Sequence, residues 1–320
     1  MATIWALLAC AACAAPARDP EPGGEAGSPG SVAAVEESPR PTPARTRVVM
    51  LGTGTPIPDP DRSGPATAVI HGGKAYLVDF GPGVVRRAAA AALEGVAELD
   101  PRVLATAFAT HLHSDHTAGL PDLIHTPAVA GRRSPLRVFG PPGISAMVAA
   151  VNSAWSGDLA VRGAGKSAEA MAPYFAEAVE VRPGVLLRDG DLEISAFAVR
   201  HGDWPHAYGY RFAAPDRTVV ISGDTAPAAA VAAACDGCDV LVHEVYCHAG
   251  WAAGQPDWRS YHATHHTSAV ELAAIAAEAR PGVLVMTHLL HFGCSDELLL
   301  REITDRWDGR VVLPRDGEVI

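Results

Sequence analysis

The chain has 320 residues, with 25 Lys and Arg against 36 Asp and Glu and a formal net charge of -11. At 48% hydrophobic and 19% charged it has enough apolar chain to bury a core, which excludes a disordered tail or a coiled coil. The acidic balance argues against a broad nucleic-acid or anionic-membrane surface, because phosphate binding needs a positive footprint. Lysine is confined to Lys74 and Lys166, whereas 14 histidines stand out and direct the search for chemistry.

Residues 1–44 do not read as fold. Leu7-Leu8-Ala9-Cys10 resembles a bacterial lipobox, although no positive segment precedes it and the apolar stretch is too short to span a bilayer. The expectation is an export signal with a lipid anchor at Cys10, hence a periplasmic or membrane-anchored lipoprotein; the protein is cytoplasmic if the leader is not a signal. Residues 16–43 are Pro, Gly, Ala, Ser and Glu with little apolar bulk, the composition of a disordered tether.

A folded domain is expected over 45–320. Val48-Val49-Met50-Leu51 is a short buried-strand run stopped by Gly52-Thr53-Gly54-Thr55-Pro56. Residues 66–70 and 75–78 pair as strands around Gly72-Gly73, and the Ala-rich 82–93 reads as helix. A strand over 103–109 ends on clustered histidines. Another at 136–139 precedes a helix beginning at Pro142 and running to about Val151. Residues 152–182 are weakly patterned and read as an inserted excursion. Strands return at 192–199, 207–212, 218–221, 240–243 and 283–286, with helices at 226–235, 267–279 and 296–307. A meander followed by strand–helix alternation thus occurs twice. That suggests two sheets between helices rather than one doubly wound sheet.

His111-Leu112-His113-Ser114-Asp115-His116 follows directly on the 103–109 strand. Residues i and i+2 of an extended segment project to one side, so His111 and His113 can share a metal. The turn after them swings Asp115 and His116 to a second position. Imidazole and carboxylate, with one place left for water, are the usual ligands of a catalytic zinc ion. Partners must come from elsewhere, and His201, Asp224 and His288 each sit just after an apolar strand. Ligands at the carboxyl ends of strands converge on one crevice, where α/β folds place their sites. Asp224 can bridge two ions about 3.5–4 Å apart, the spacing of hydrolytic two-metal sites.

Taken in order, these ligands resemble the metallo-β-lactamase superfamily over about residues 47–320. The resemblance implies an αββα four-layer sandwich and two zinc ions per chain, with manganese or iron as alternatives. It implies that His111, His113 and His201 hold one ion, that Asp115, His116 and His288 hold the other, and that Asp224 lies between them. Asp79, in Leu77-Val78-Asp79-Phe80-Gly81, matches the superfamily's early Asp that braces the His loop. Leu51-Gly52-Thr53-Gly54-Thr55-Pro56 with Arg62-Ser63, Gly223-Asp224-Thr225, His243-Glu244-Val245 and His266-Thr267-Ser268 are similar to the ribonuclease Z and arylsulfatase-like branch. In that branch the residues matching His266 and Glu244 help protonate the leaving group, and Asp115 would orient or deprotonate the attacking water. Classical β-lactamases carry Cys or Ser in place of Asp224, which counts against that substrate. No Pro-x-Lys-x-Arg-Asn loop and no Lys/Gly-rich arm, of the kind that helps ribonuclease Z grip tRNA, occurs in the sequence. A small anionic ester is therefore expected rather than a long nucleic acid, and homodimerisation is a family-level expectation.

The expected activity is metal-dependent hydrolysis of phosphodiester or sulfate ester bonds by hydroxide, from metal-bound water acidified to a pKa of about 7. Alternatives are a lactone or thioester hydrolase on the same site, or an iron-dependent oxidoreductase of the same fold, because His/Asp sites also suit iron. His262 and His265 compete with His266 as proton donor, within Tyr261-His262-Ala263-Thr264-His265-His266. Gly52-Thr53-Gly54 lacks the full spacing of a phosphate-cradling loop and reads as a turn. Cys235 and Cys238 fit either a disulfide or two buried thiols. His71, His125, His206 and His291 have no ligand spacing. Trp204, Tyr208, Trp251 and Trp258 flank the metal-motif segments and either line a substrate pocket or pack.

Overall fold

The computed structural model describes residues 46–320; the lipobox-like segment, Cys10 and the tether lie outside the described residues. The first sheet runs in chain order through β1 (Arg47–Gly52), β2 (Ala66–His71), β3 (Lys74–Val78), β4 (Thr106–Phe108), β5 (Leu136–Gly140) and β6 (Ala176–Glu180). β1 to β3 are antiparallel and β3 to β6 parallel. The second sheet holds β7 (Gly184–Asp189), β8 (Leu192–Ala198), β9 (Tyr208–Ala213), β10 (Thr218–Ile221), β11 (Val240–Tyr246), β12 (Val283–Leu290) and β13 (Val311–Val312). It too begins as an antiparallel meander and turns parallel from β10 onward.

The helices are α1 (Val84–Leu93), α2 (Ser114–Thr117), α3 (Leu120–Ala130), α4 (Ile144–Ala154), α5 (Ser156–Gly163), α6 (Ala168–Met171), α7 (Ala229–Cys235), α8 (His248–Ala252), α9 (Pro256–His265), α10 (Ala269–Ala279) and α11 (Asp296–Thr304). Period-2 alternation along the strands sorts the core into three layers. Val48 and Met50 of β1, Val219 and Ile221 of β10, and Val283 and Val285 of β12 meet between the two sheets, around Phe108, Tyr210 and Phe212. Val49 and Leu51 point the other way, onto α1, α3 and α4. Val220, Leu241, Leu284 and Met286 point out onto α7, α10 and α11. Three apolar layers separating four structural ones are the αββα sandwich. No described helix is long and apolar enough to cross a membrane.

Two expectations change. The 103–109 strand shrinks to β4, because Asp100 caps a single 3-10 turn at Pro101–Val103 ahead of it. The 152–182 excursion is two short helices and the edge strand β6, and β7 follows it at the edge of the other sheet. Neither strand has a fully buried residue, so neither carries the apolar period that would reveal it. The chain end also closes the fold: Ile320 and Gly317 donate backbone hydrogen bonds to Val48 and Met50 of β1.

Candidate metal centre

His111 and His113 follow β4, Asp115 and His116 lie in α2, His201 and Asp224 follow β8 and β10, and His288 lies within β12. Asp79 follows β3 with a left-handed φ of 60°, which turns its carboxylate back under the His loop. That carboxylate accepts hydrogen bonds from the Thr110 N–H at 2.8 Å, the Thr110 hydroxyl at 2.9 Å and His116 Nδ1–H at 2.8 Å. Three donors on one buried acceptor fix the path of residues 110–116. His116 Nε2 is left buried with no hydrogen-bond partner, 3.2 Å from Asp224 Oδ2 and 3.4 Å from Asp115 Oδ2.

The neighbouring rings are locked in the same way. The Thr110 hydroxyl gives its proton to Asp79 and so accepts from His111 Nδ1–H at 3.0 Å, and the His265 carbonyl accepts from His201 Nδ1–H at 2.7 Å. Each neutral ring then presents an Nε2 lone pair. Both lone pairs face His113 Nδ1, at 2.9 Å from His111 and 3.0 Å from His201. Trp204 Nε1–H donates to His113 Nε2, so the single proton of His113 sits on Nδ1 and can serve only one of them. Three ring nitrogens turned on one point fit a shared cation, which would take the place of that proton. Burial holds His111 well below its ordinary value and His201 at about 3, so both stay neutral and available as ligands.

Asp224 follows β10 through Gly223 (φ 62°), where a Cβ would press on Thr110 and the Tyr208 carbonyl. Its Oδ2 lies 3.2 Å from His116 Nε2, 3.4 Å from His288 Nε2 and 4.0 Å from His111 Nε2. Burial opposes its charge, but His288 and His116 hold the carboxylate well below its usual range. His288 does not follow its strand, as the sequence suggests; it sits inside β12 as a bulge. Thr287 pairs with Glu244 and Leu289 with Val245, and His288 between them takes a φ of 46° that throws its ring toward Asp115 at 3.2 Å.

Two ligand groups result. His111, His113 and His201 offer atoms to one ion; Asp115, His116 and His288 offer atoms to a second; Asp224 joins His111 and His116 in a set that spans both. All seven sequence-predicted ligands are thus brought together in one buried His/Asp cluster suited to a dinuclear metal site.

Glu244 and His266 complete the floor. Glu244 Oε1 accepts from the Thr225 and Thr267 N–H groups at 3.2 and 2.9 Å, and its Oε2 lies 3.4 Å from His266 Nδ1. Burial raises the Glu244 carboxyl well above its ordinary value and pushes His266 down to about 3. Both shifts favour the uncharged form, for carboxyl and imidazole alike. His262 stands further along the same wall, with its Nδ1–H given to the Trp258 carbonyl at 2.8 Å, and His265 lies behind His201 at 5.1 Å between ring centroids.

A cavity of about 510 Å³ opens over the cluster, lined by His113, Asp115, Asp224, His266 and His288 together with Trp258, Tyr261 and Phe292. Of the four aromatics singled out from sequence, Trp258 lines it, Trp204 stands edge-on to His113 at 4.9 Å, Trp251 packs on Tyr246, and Tyr208 is core. Sequence reasoning missed Tyr261, Phe292 and Asp316. Asp316 accepts from the Thr53 N–H and the Ser63 N–H at 3.0 and 2.6 Å and so pins the loop that frames the cavity. Asp316 lies more than 250 residues from those partners, and only topology could reveal it. Cys235–Cys238 is a disulfide, and Cys247–Cys294 is a second that spacing did not suggest. His71 is a buried structural residue bonded to Thr46 and Asp191.

The chain matches the family model described as "Beta-lactamase superfamily domain" over residues 74–289. It is 38% identical over 245 residues to a ribonuclease Z from Mycobacterium marinum, covering 75% of this chain and 85% of that one. The crystal structure of the metallo-beta-lactamase fold protein YhfI from Bacillus subtilis superposes with a TM-score of 0.66 at 21% identity, covering 86% of this chain and 99% of that one. The short form of human tRNase Z superposes with a TM-score of 0.63 at 21% identity, covering 86% and 98%. With the motif order, the two three-ligand groups and the four-layer sandwich, these matches show that the chain belongs to the metallo-β-lactamase superfamily.

Proposed function

We propose that the protein is a two-zinc hydrolase of small phosphodiester or sulfate esters. The observation that carries this reading is the convergence of His111, His113, Asp115, His116, His201, Asp224 and His288 on two adjacent ligand groups. Two bound divalent ions would supply an acidified water and positive charge against the ester oxygens.

The chain's own groups supply the rest. Asp115 lines the cavity beside His116 and His288, placed to orient the attacking water and accept its proton. His266 has Nδ1 turned to the Glu244 carboxyl, which leaves Nε2 for the leaving group. Glu244, with both backbone donors on one oxygen, holds that ring in place as a positioning residue.

The cavity supports the small-substrate reading. Its lining holds no Lys or Arg, so a long polyanion finds no track there. Two disulfides among the described residues support an oxidising compartment and with it export through the leader. A panel on the full chain tests the reading: bis-p-nitrophenyl phosphate, p-nitrophenyl sulfate, a lactone, a cephalosporin and precursor tRNA. Turnover of one of the first two is expected. Turnover of the lactone alone would overturn the phospho- and sulfoester reading, and iron with oxygen uptake would replace it with an oxidoreductase.

A further inference from the structure

Helix α9 is unusual for what it fails to bury. Trp258, Tyr261, His262 and His265 fall at i, i+3, i+4 and i+7, one face of a helix, yet no residue of α9 is buried. A ring face of this kind normally seats a helix on the core. Here it is turned to the cavity: Trp258, Tyr261 and His262 line it, and Tyr261 remains 48% exposed.

The rings form a continuous surface. Phe292 stands 4.3 Å from Trp258 and 4.8 Å from His262, and Trp258 lies 4.4 Å from His262. His262 stacks toward His266 at 5.8 Å, and His266 stacks on His288 at 5.4 Å. The series thus runs from the solvent edge to the metal ligands without a break.

The backbone is shaped to hold it. A Cβ at Gly254 would overlap the Trp258 indole, so only glycine leaves the space that ring occupies. Trp251 Nε1–H donates to the Arg259 carbonyl at 2.9 Å and ties α8 to α9, and the Cys247–Cys294 disulfide anchors the loop that carries Phe292. Beside Pro56, Ile57 and Leu290, and with no Lys or Arg among the lining residues, these rings favour contact with another flat ring over binding of a long charged chain.

We infer that the wall of Trp258, Tyr261, His262 and Phe292 selects esters whose alcohol side carries a flat aromatic ring, an aryl group or a nucleobase. This rests on the proposed hydrolase reading, because the wall leads to His266, the group placed on the leaving-group side. A saturated ring of the same size fills the same space without a π-face and should bind less well.

The test uses the metal-loaded full chain and equilibrium binding of phenyl phosphate, cyclohexyl phosphate and adenosine 5′-monophosphate. Phenyl phosphate should bind about 3- to 10-fold tighter than cyclohexyl phosphate, the range of one aromatic stack. Trp258→Leu and Tyr261→Leu, each checked for unchanged metal content, should bring that ratio toward one. Adenylate tighter than phenyl phosphate assigns the wall to a nucleobase, and the reverse order to an aryl group. Equal binding of phenyl and cyclohexyl phosphate, no binding of phenyl phosphate, or a ratio unmoved in both variants would overturn the inference. A ring preference with no ester turned over would sink the hydrolase reading and leave the wall standing. Turnover without a ring preference would do the opposite.

Discussion

His116 Nδ1–H donates to Asp79 at 2.8 Å, and that single bond decides which nitrogen of His116 faces Asp224 and Asp115. Asp79 is therefore a positioning residue for the second ligand group. Asp79→Asn keeps a side chain that tolerates the left-handed backbone but loses the charged acceptor. Such outer partners are worth about 10- to 100-fold in metal affinity. Chelator competition should show one of two ions released earlier in Asp79→Asn; an unchanged titration of both would contradict the role.

His266 should matter in proportion to leaving-group basicity. His266→Ala is expected to keep its metal content and to lose turnover by about 10²- to 10⁴-fold on alkyl esters, with far smaller losses on p-nitrophenyl esters. Glu244→Gln should show the same slope at lower amplitude, since it acts through the His266 ring. The readout is the dependence of rate on leaving-group pKa. Equal loss across the series would remove the assignment.

The site was legible in sequence because its chemistry allows few residue types. His111, His113, Asp115 and His116 sit in one hexapeptide, and His201 and Asp224 stand where apolar strand patterns stop. His288 could be placed but not explained, since a bulge inside β12 leaves no sequence mark. The aromatic wall was hidden for another reason. Its ring spacing is present in 258–265, but three imidazoles between Tyr261 and His266 are accounted for equally well by proton donation. Edge strands β6 and β7 lack a buried period, and Asp316 and the Cys247–Cys294 bond join segments far apart in the chain.

The Cys247–Cys294 bond closes a loop of separation 47, which in the chain-entropy model is worth about 4 kcal/mol. Cys294→Ser, compared with the parent in urea unfolding, should lose up to about that amount and should loosen the Phe292 wall. A midpoint identical under reducing and oxidising conditions would show that the bond contributes nothing.

Stability of the metal-free chain should peak at about pH 6.5, the unfolded histidine value. Burial pushes His201 and His266 to about 3 and His243 to about 4, so below pH 6.5 the unfolded chain binds protons that the folded one refuses. Stability is lost as pH falls through that window, and further where Asp115 and Asp224, held low, must protonate. Above about 6.5 the sign reverses, because His116 and His288, held high by their carboxylates against burial, keep protons that the unfolded chain releases; Glu244, raised by burial, adds the same sign from about pH 4.5 upward. Thermal melts from pH 4 to pH 9 on metal-stripped protein should trace this maximum. Bound metal replaces the protons on His116 and His288, so loaded protein should hold its stability on the alkaline side. A metal-free profile flat across pH 5 to pH 8 would contradict these assignments.

Stepwise return of zinc to the metal-stripped full chain, with bound metal and bis-p-nitrophenyl phosphate turnover read on the same samples, tests the two-ion site most directly. Two equivalents should bind, with turnover reaching its plateau only at the second and both steps weakened in Asp224→Ala. Saturation at one equivalent with no ester cleaved, or full turnover retained in Asp224→Ala, would contradict a shared two-metal hydrolytic centre.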